Sequence, residues 1–394
     1  MEQGVLKAAF RKVNITPEET APLQGYDPAL YIADPAKDIL DDLYARVLVL
    51  DDGNERQVLI SVDCGLSNEQ PFHAAMKDRA EYRVLCEAFP SGSRRLWSEA
   101  AETRESNVSV HATHTHSAPA HFGGKYVARI DQAVREAVSG LQPIRVKACC
   151  GETAVSVNRR PHLRHNDALP IDKTLSVAVL ESLDGQPIGA IVNCAVHPTL
   201  LINPYNRVSA EFVGLAMSEW ENKLGGGFTA MFLQGFCGDV GPYGHMRDEK
   251  EDTYPWVRRL ALQFYAEAAE LAERAVPLEA GVVKRAVKTI SLPAYDGYLT
   301  PSIESEISAL RIGETLIFSA SHEVFSGYAA LLRPHSPAAY PMFCGVANGY
   351  AGYLPTPEAF RDGLGGYELN TTPYCEEAGK RFVEEATALL RQLD

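Results

Sequence analysis

The stretch Asn107-Val108-Ser109-Val110-His111-Ala112-Thr113-His114-Thr115-His116-Ser117-Ala118-Pro119 concentrates the chemistry of this chain. Its first half is β-branched and alternating, which predicts a strand. Side chains two apart on a strand share a face, so His114 and His116 are expected side by side. Pro119 marks where the strand has to stop, because proline donates no ladder hydrogen bond. Two imidazoles at a strand end suit a metal site or a proton-transfer site. A pair of buried histidines bonded to backbone satisfies the same pattern, so both readings stand at this point.

Further reactive side chains recur where strands are expected to end: His197, Asp239, Glu323 and Tyr353. Loops at strand ends carry active sites in α/β proteins because the sheet holds them rigidly. Imidazoles with a carboxylate make a borderline-soft donor set suited to Zn²⁺ with an open position. Such an ion acidifies its water from about 15.7 to about 7. The loop Asn158 to Asp167 gathers Arg159, Arg160, His162, Arg164 and His165. It reads either as a solvated basic turn or as a clamp for an anion or oxyanion.

The elements needed to hold these groups follow from pattern. Tyr44 to Leu50 and Gln57 to Asp63 flank Asp51-Asp52-Gly53-Asn54, a hairpin signature. Strands are expected at Ala8–Thr16, Arg145–Val157, Leu175–Glu181, Ile188–Val196, Phe228–Phe236, Val282–Leu292, Glu304–Ile312 and Glu314–Ala320. Helices are expected at Gln70–Ala88, Ile130–Val138, about Ser209–Leu224 with Ser209 as N-cap, Val257–Ala275 and Glu376–Leu393. The loop from Leu23 to Lys37 holds Gly25 and reads as folded over something. No internal repeat, linker or low-complexity tract is visible, so residues 1–394 are expected to form one α/β unit of mixed β-sheets flanked by helices.

Composition bounds the function. A hydrophobic fraction of 46% with 22% charged residues is that of a globular protein. The net charge of -14 argues against a nucleic-acid partner, which needs a basic footprint. No apolar run has signal-peptide or bilayer-spanning length, and the eight cysteines show no paired ligand spacing. A cytoplasmic chain with reduced thiols, no stable membrane anchor and possible homo-oligomerisation is the expectation.

These motifs, taken together, resemble the neutral (non-lysosomal) ceramidase family in its short bacterial form. The resemblance runs through Lys12-Val13-Asn14-Ile15-Thr16-Pro17, Gly25-Tyr26, Tyr44-Ala45-Arg46 and Ser61-Val62-Asp63. It is most specific at Ala112-Thr113-His114-Thr115-His116-Ser117, and continues through Asn158-Arg159, Val196-His197, Gly238-Asp239-Val240, Asn348 to Thr356 and Tyr367-Glu368. It implies the family's catalytic-domain fold. It also implies zinc held by His114, His197, Glu323 and Tyr353, with His116 beside the metal-bound water and Arg159 and Tyr367 polarising the scissile carbonyl. Ser321-His322-Glu323-Val324-Phe325 matches the family's glutamate motif only loosely, and two extra residues precede Tyr367. The chain departs at Gly241, where the family has a serine. Glycine has no side chain to attack with, so an acyl-serine route is excluded at that position.

The expected function is therefore a zinc-dependent hydrolase of a linear amide in a small polar or anionic molecule. Ceramide itself is not the expected substrate, since no exposed apolar helix reads as a groove for its alkyl chains. Two other classes fit parts of the pattern: a zinc-dependent lyase or isomerase on a sugar-like substrate, and a non-catalytic zinc-binding protein.

Overall fold

A computed structural model describes residues 5–25, 31–77, 79–160, 165–201, 206–244, 252–279 and 283–394; for 73, 74 and 79–85 only the backbone is described. The central strands are largely apolar, and the reason is burial on both faces. Along Tyr44–Asp51, Ala45, Val47 and Val49 point into one core while Leu48 and Leu50 point into another. Arg56–Val62 divides likewise, with Val58, Ile60 and Val62 on one side and Leu59 on the other.

The topology contains one arrangement three times. Three antiparallel strands are followed by a crossover and a fourth strand parallel to the third, and a helix closes the unit. The first unit uses Lys7–Asn14, Tyr44–Asp51, Arg56–Val62 and Val108–Ala112, closed by the helix Gly124–Ser139. The second uses Gln142–Glu152, Thr174–Ser182, Pro187–Cys194 and Thr229–Gln234, closed by Tyr254–Glu273. The third uses Val283–Pro293, Ser302–Ile312, Thr315–Ala320 and Tyr340–Cys344, closed by Glu377–Leu390. The first two units join antiparallel through Lys7 and Ala8 into one large sheet, and the third forms its own four-stranded sheet.

The recurrence is one of strand order and leaves no repeat visible in the sequence. The crossovers occupy 63–107, 195–228 and 321–339, so their unequal lengths erase any fixed period. Leu59, Ile191, Met231 and Leu233 of the large sheet share a core with Leu310, Ile317 and Met342 of the small one. Helices cover the outer faces through separate cores. The result is four layers, helix–sheet–sheet–helix, a mixed α/β architecture. No helix among the described residues is long and apolar enough to cross a membrane.

Four local expectations change, the first being that Ala210 and not Ser209 is the N-cap of the helix Glu211–Leu224. The segment expected as the helix Gln70–Ala88 is instead a hairpin, Phe72–Met76 with Arg79–Cys86. Beside its turn, the Lys77 amide donates to Asn370 O and its Nζ to Leu369 O, tertiary contacts that override local helix propensity. The strand expected over Arg145–Val157 breaks after Glu152 and resumes only at Ser156–Asn158. The strand carrying the histidines ends at Ala112, before His114. Tyr26, His162 and Arg164 lie outside the described residues.

Candidate metal and hydrolytic site

The parallel strand pairs of all three units deliver their C-terminal ends to one place. His114 follows the fourth strand of the first unit, and His197 the third strand of the second. Glu323 follows the third strand of the third unit, where it bridges Tyr353 in a two-residue parallel ladder. His114 adopts φ 71, a left-handed backbone rare outside glycine. Strand alternation therefore does not aim the His114 and His116 rings. The loop does, placing them 4.9 Å apart and perpendicular.

Each ligand candidate is oriented by backbone. His114 Nδ1 lies 2.6 Å from Gly65 O. His197 Nδ1 lies 2.7 Å from Cys237 O and 3.0 Å from Val240 O. Carbonyls accept, so both Nδ1 atoms carry a proton, and in the neutral rings both Nε2 atoms are lone pairs. Those lone pairs converge on Glu323 Oε2, at 2.8 Å from His197 and 3.3 Å from His114. Three acceptors therefore face one another, all buried, without a donor between them. Burial pushes His197 down to about 3, helped by the nearby Arg159 charge, so neutral imidazole is the resident form. Burial raises the Glu323 carboxyl, and positive charge at His114 and His197 is what would hold it well below the carboxylate range, so an ionised Glu323 between neutral rings calls for a cation among these three groups. Convergent lone pairs around an ionised carboxylate are the donor set a divalent cation takes.

His116 completes a triad in which one nitrogen from each of His114, His116 and His197 lies within 4.8 Å of the others. Burial, with the neighbouring His114 and His197, holds it well below its ordinary value. Gly25 packs directly on its ring, and a Cβ there would stand 2.3 Å from Nδ1. That contact, with φ 83, accounts for the glycine in the loop read from sequence as folded over something.

On the other side, Arg159 Nη2 donates to Tyr353 Oη at 2.9 Å. The Tyr353 ring stacks at 6.5 Å on His197. Tyr367 stands edge-on to Tyr353 at 5.9 Å and is 36% exposed, which places it at the rim. Arg159 Nε pairs with Glu368 at 3.0 Å, both side chains buried. Glu368 and Tyr350, whose hydroxyl donates to Glu323 Oε1 at 2.6 Å, have no role in the sequence reading. Both lie in motifs quoted there, and the available signal for Glu368 was its place directly after Tyr367. Asp239 supports the site indirectly: its Oδ1 accepts the Ser326 amide at 2.7 Å and its carbonyl the Arg159 amide. The other described basic residues of the loop are engaged. Arg160 pairs with Asp362, and His165 Nε2 lies 2.6 Å from Asp167 Oδ1, so the described residues of the loop supply no argument for an anionic substrate.

No family model matches the chain. It is 30% identical over 171 residues to neutral ceramidase B of Dictyostelium discoideum, and 31% over 170 residues to neutral ceramidase A of that organism. It is 28% identical over 200 residues to the neutral ceramidase of Pseudomonas aeruginosa. The matched stretches cover 35%, 34% and 43% of this chain but only 24%, 24% and 30% of those proteins. The crystal structure of the Pseudomonas aeruginosa neutral ceramidase superposes with a TM-score of 0.78 at 18% identity, over 100% of this chain and 75% of that one. A ceramidase complexed with C2 gives 0.78 at 19% identity, over 99% of this chain and 75% of that one. The chain resembles neutral ceramidases in sequence over about a third to two-fifths of its length and shares the fold of the solved ceramidases.

Proposed function

We propose that this chain is a zinc-dependent hydrolase that cleaves the C–N bond of a linear amide in a small polar molecule. The observation that carries the proposal is the convergence of two Nε2 lone pairs on the Glu323 carboxylate, with each Nδ1 committed to a carbonyl. His114, His197 and Glu323 would hold the ion, with Tyr353 beside them. When bound, zinc supplies Lewis acidity and a water acidified to about 7.

The chain's own residues supply the rest. His116, neutral through burial, takes a proton from the attacking water and returns it to the leaving nitrogen. Arg159, fixed by Glu368, and Tyr367 donate to the oxygen of the tetrahedral intermediate. Gly241 follows Val240, whose carbonyl receives His197, and offers no nucleophile; water attacks without an acyl-enzyme. The ceramidase names of the relatives support amide hydrolysis. The three imidazoles within 4.8 Å of one another favour one variant of the ligand set, in which His116 binds the ion and Glu323 is the base. A cytoplasmic location belongs to the proposal and is supported by eight free cysteines.

The test is a panel of N-acyl amides, short and long, turned over in ¹⁸O-water. One ¹⁸O in the carboxylate product is expected. Turnover without label overturns hydrolysis and points to the lyase or isomerase class.

A further inference from the structure

Both histidine loops end on the same three residues, Ser209-Ala210-Glu211, at the start of the helix Glu211–Leu224. On one side, Thr115 Oγ1 donates to Ser209 O at 2.9 Å and the Ser209 amide donates to Ser117 O at 2.8 Å. These two bonds grip the residues on either side of His116. On the other side, Glu211 Oε1 accepts the Leu201 amide at 2.6 Å, at the far end of the turn that begins with His197. Within that turn the Thr199 amide donates to His197 O at 3.0 Å.

Glu211 is fully buried and sits at φ 55. A glutamate in that region carries backbone strain that a glycine would not incur. Its own amide is satisfied by Ser209 Oγ at 3.0 Å, and Oε2 accepts the Phe212 amide at 3.1 Å. Ser209 Oγ and the Ala210 amide are in turn fixed by Asp41, at 2.6 and 2.7 Å, with Tyr254 Oη on the same carboxylate at 3.1 Å. Strain of this kind persists only where the surroundings over-determine it.

We infer that Glu211 is a positioning residue that locks the His197 turn to the His114–His116 loop, holding the imidazoles convergent on Glu323. Glu211 touches neither the imidazoles nor the carboxylate. It acts through Leu201 on one loop and, through its own strained backbone beside Ser209, on the other. The inference rests on the metal reading above.

The experiment uses the full chain with Glu211→Gly, Glu211→Ala and Glu211→Gln. Two quantities are read: zinc affinity, by competition with a chromophoric chelator, and unfolding free energy of the metal-free protein. Glycine relieves the strained φ, so the Gly variant unfolds later than the Ala variant. Both lose the carboxylate and weaken zinc about tenfold, the lower end for an indirect support. Gln keeps one acceptor oxygen, for the Leu201 amide, but turns its NH2 toward the Phe212 amide, so it restores affinity in part, above the Ala and Gly variants. Zinc affinity that merely follows stability, or that is unchanged in the Gly variant, overturns the inference. Amide hydrogen exchange supplies a reading that needs no metal. Glu211→Gly is expected to speed exchange at Leu201, Thr199 and Ser209 together; acceleration at Leu201 alone also overturns it. A parent protein that binds no zinc while these amides respond refutes the proposed function and leaves the brace standing.

Discussion

Replacing Arg159 by methionine separates what this arginine does for the fold from what it does for the chemistry. Its side chain is 4% exposed and that of Glu368 0%, with 3.0 Å between Nε and the carboxylate. Removing the cation strands a buried carboxylate, a loss of about 3–5 kcal/mol. It also leaves Tyr353 Oη without its donor at 2.9 Å, an unsatisfied group costing about 1–3 kcal/mol. The double variant Arg159→Met/Glu368→Leu removes both charges, so it is expected to recover more than half of the lost unfolding free energy. Activity will not follow. The oxyanion donor is absent from both variants, and kcat is expected to fall about 10²–10³-fold in each. Urea unfolding monitored by tryptophan fluorescence gives the stabilities, and turnover of the amide found in the substrate panel gives kcat. A double variant no more stable than the single, or one with restored kcat, refutes the pairing of roles.

Gly25→Ala places a methyl 2.3 Å from His116 Nδ1 at φ 83; activity should fall at least about tenfold by displacement of the ring, with about 1–3 kcal/mol of destabilisation. Steady-state kinetics and thermal unfolding check both. Glu323→Gln and His116→Gln decide the ligand set: loss of bound metal in the first with retention in the second supports the His114–His197–Glu323 set, and elemental analysis reads the outcome. His111, buried with neither nitrogen hydrogen-bonded among the described residues, is pushed down from 6.5 to about 3 by burial and then by Arg285 and Arg94. A depressed histidine binds its proton in the unfolded chain first, so its contribution is present above pH 6.5 and lost as pH falls toward about 3. His111→Leu should therefore flatten the acid side of the stability profile and change unfolding free energy at pH 7 by less than about 1.5 kcal/mol. Urea titrations between pH 3 and 7 give the slope.

The strands were legible because their residues alternate between two cores and turn signals such as Asp52-Gly53 bracket them. Their threefold arrangement was not, since it resides in pairing order and the crossovers differ in length. The hairpin at 72–86 was read as a helix because its stability comes from docking on Leu369 and Asn370, far away in sequence. Among the site residues, His114, His116, His197, Glu323, Tyr353 and Arg159 carry recognisable motifs, and the fold brings them together. What motif reading did not supply is the support: the Gly65 and Cys237 carbonyls, Tyr350, Glu368 and the strained Glu211. Those interactions are made by backbone atoms or by side chains whose partners lie ten or more residues away, and no local spacing encodes them.

The most direct test of the central claim is a crystal of the protein purified without added metal, with diffraction recorded on both sides of the zinc absorption edge. A single anomalous peak between Nε2 of His114, Nε2 of His197 and the Glu323 carboxylate, with about one zinc per chain by elemental analysis, is the predicted result. No peak, with the protein still metal-free after zinc is supplied, would contradict it and leave a proton as the link between those three acceptors.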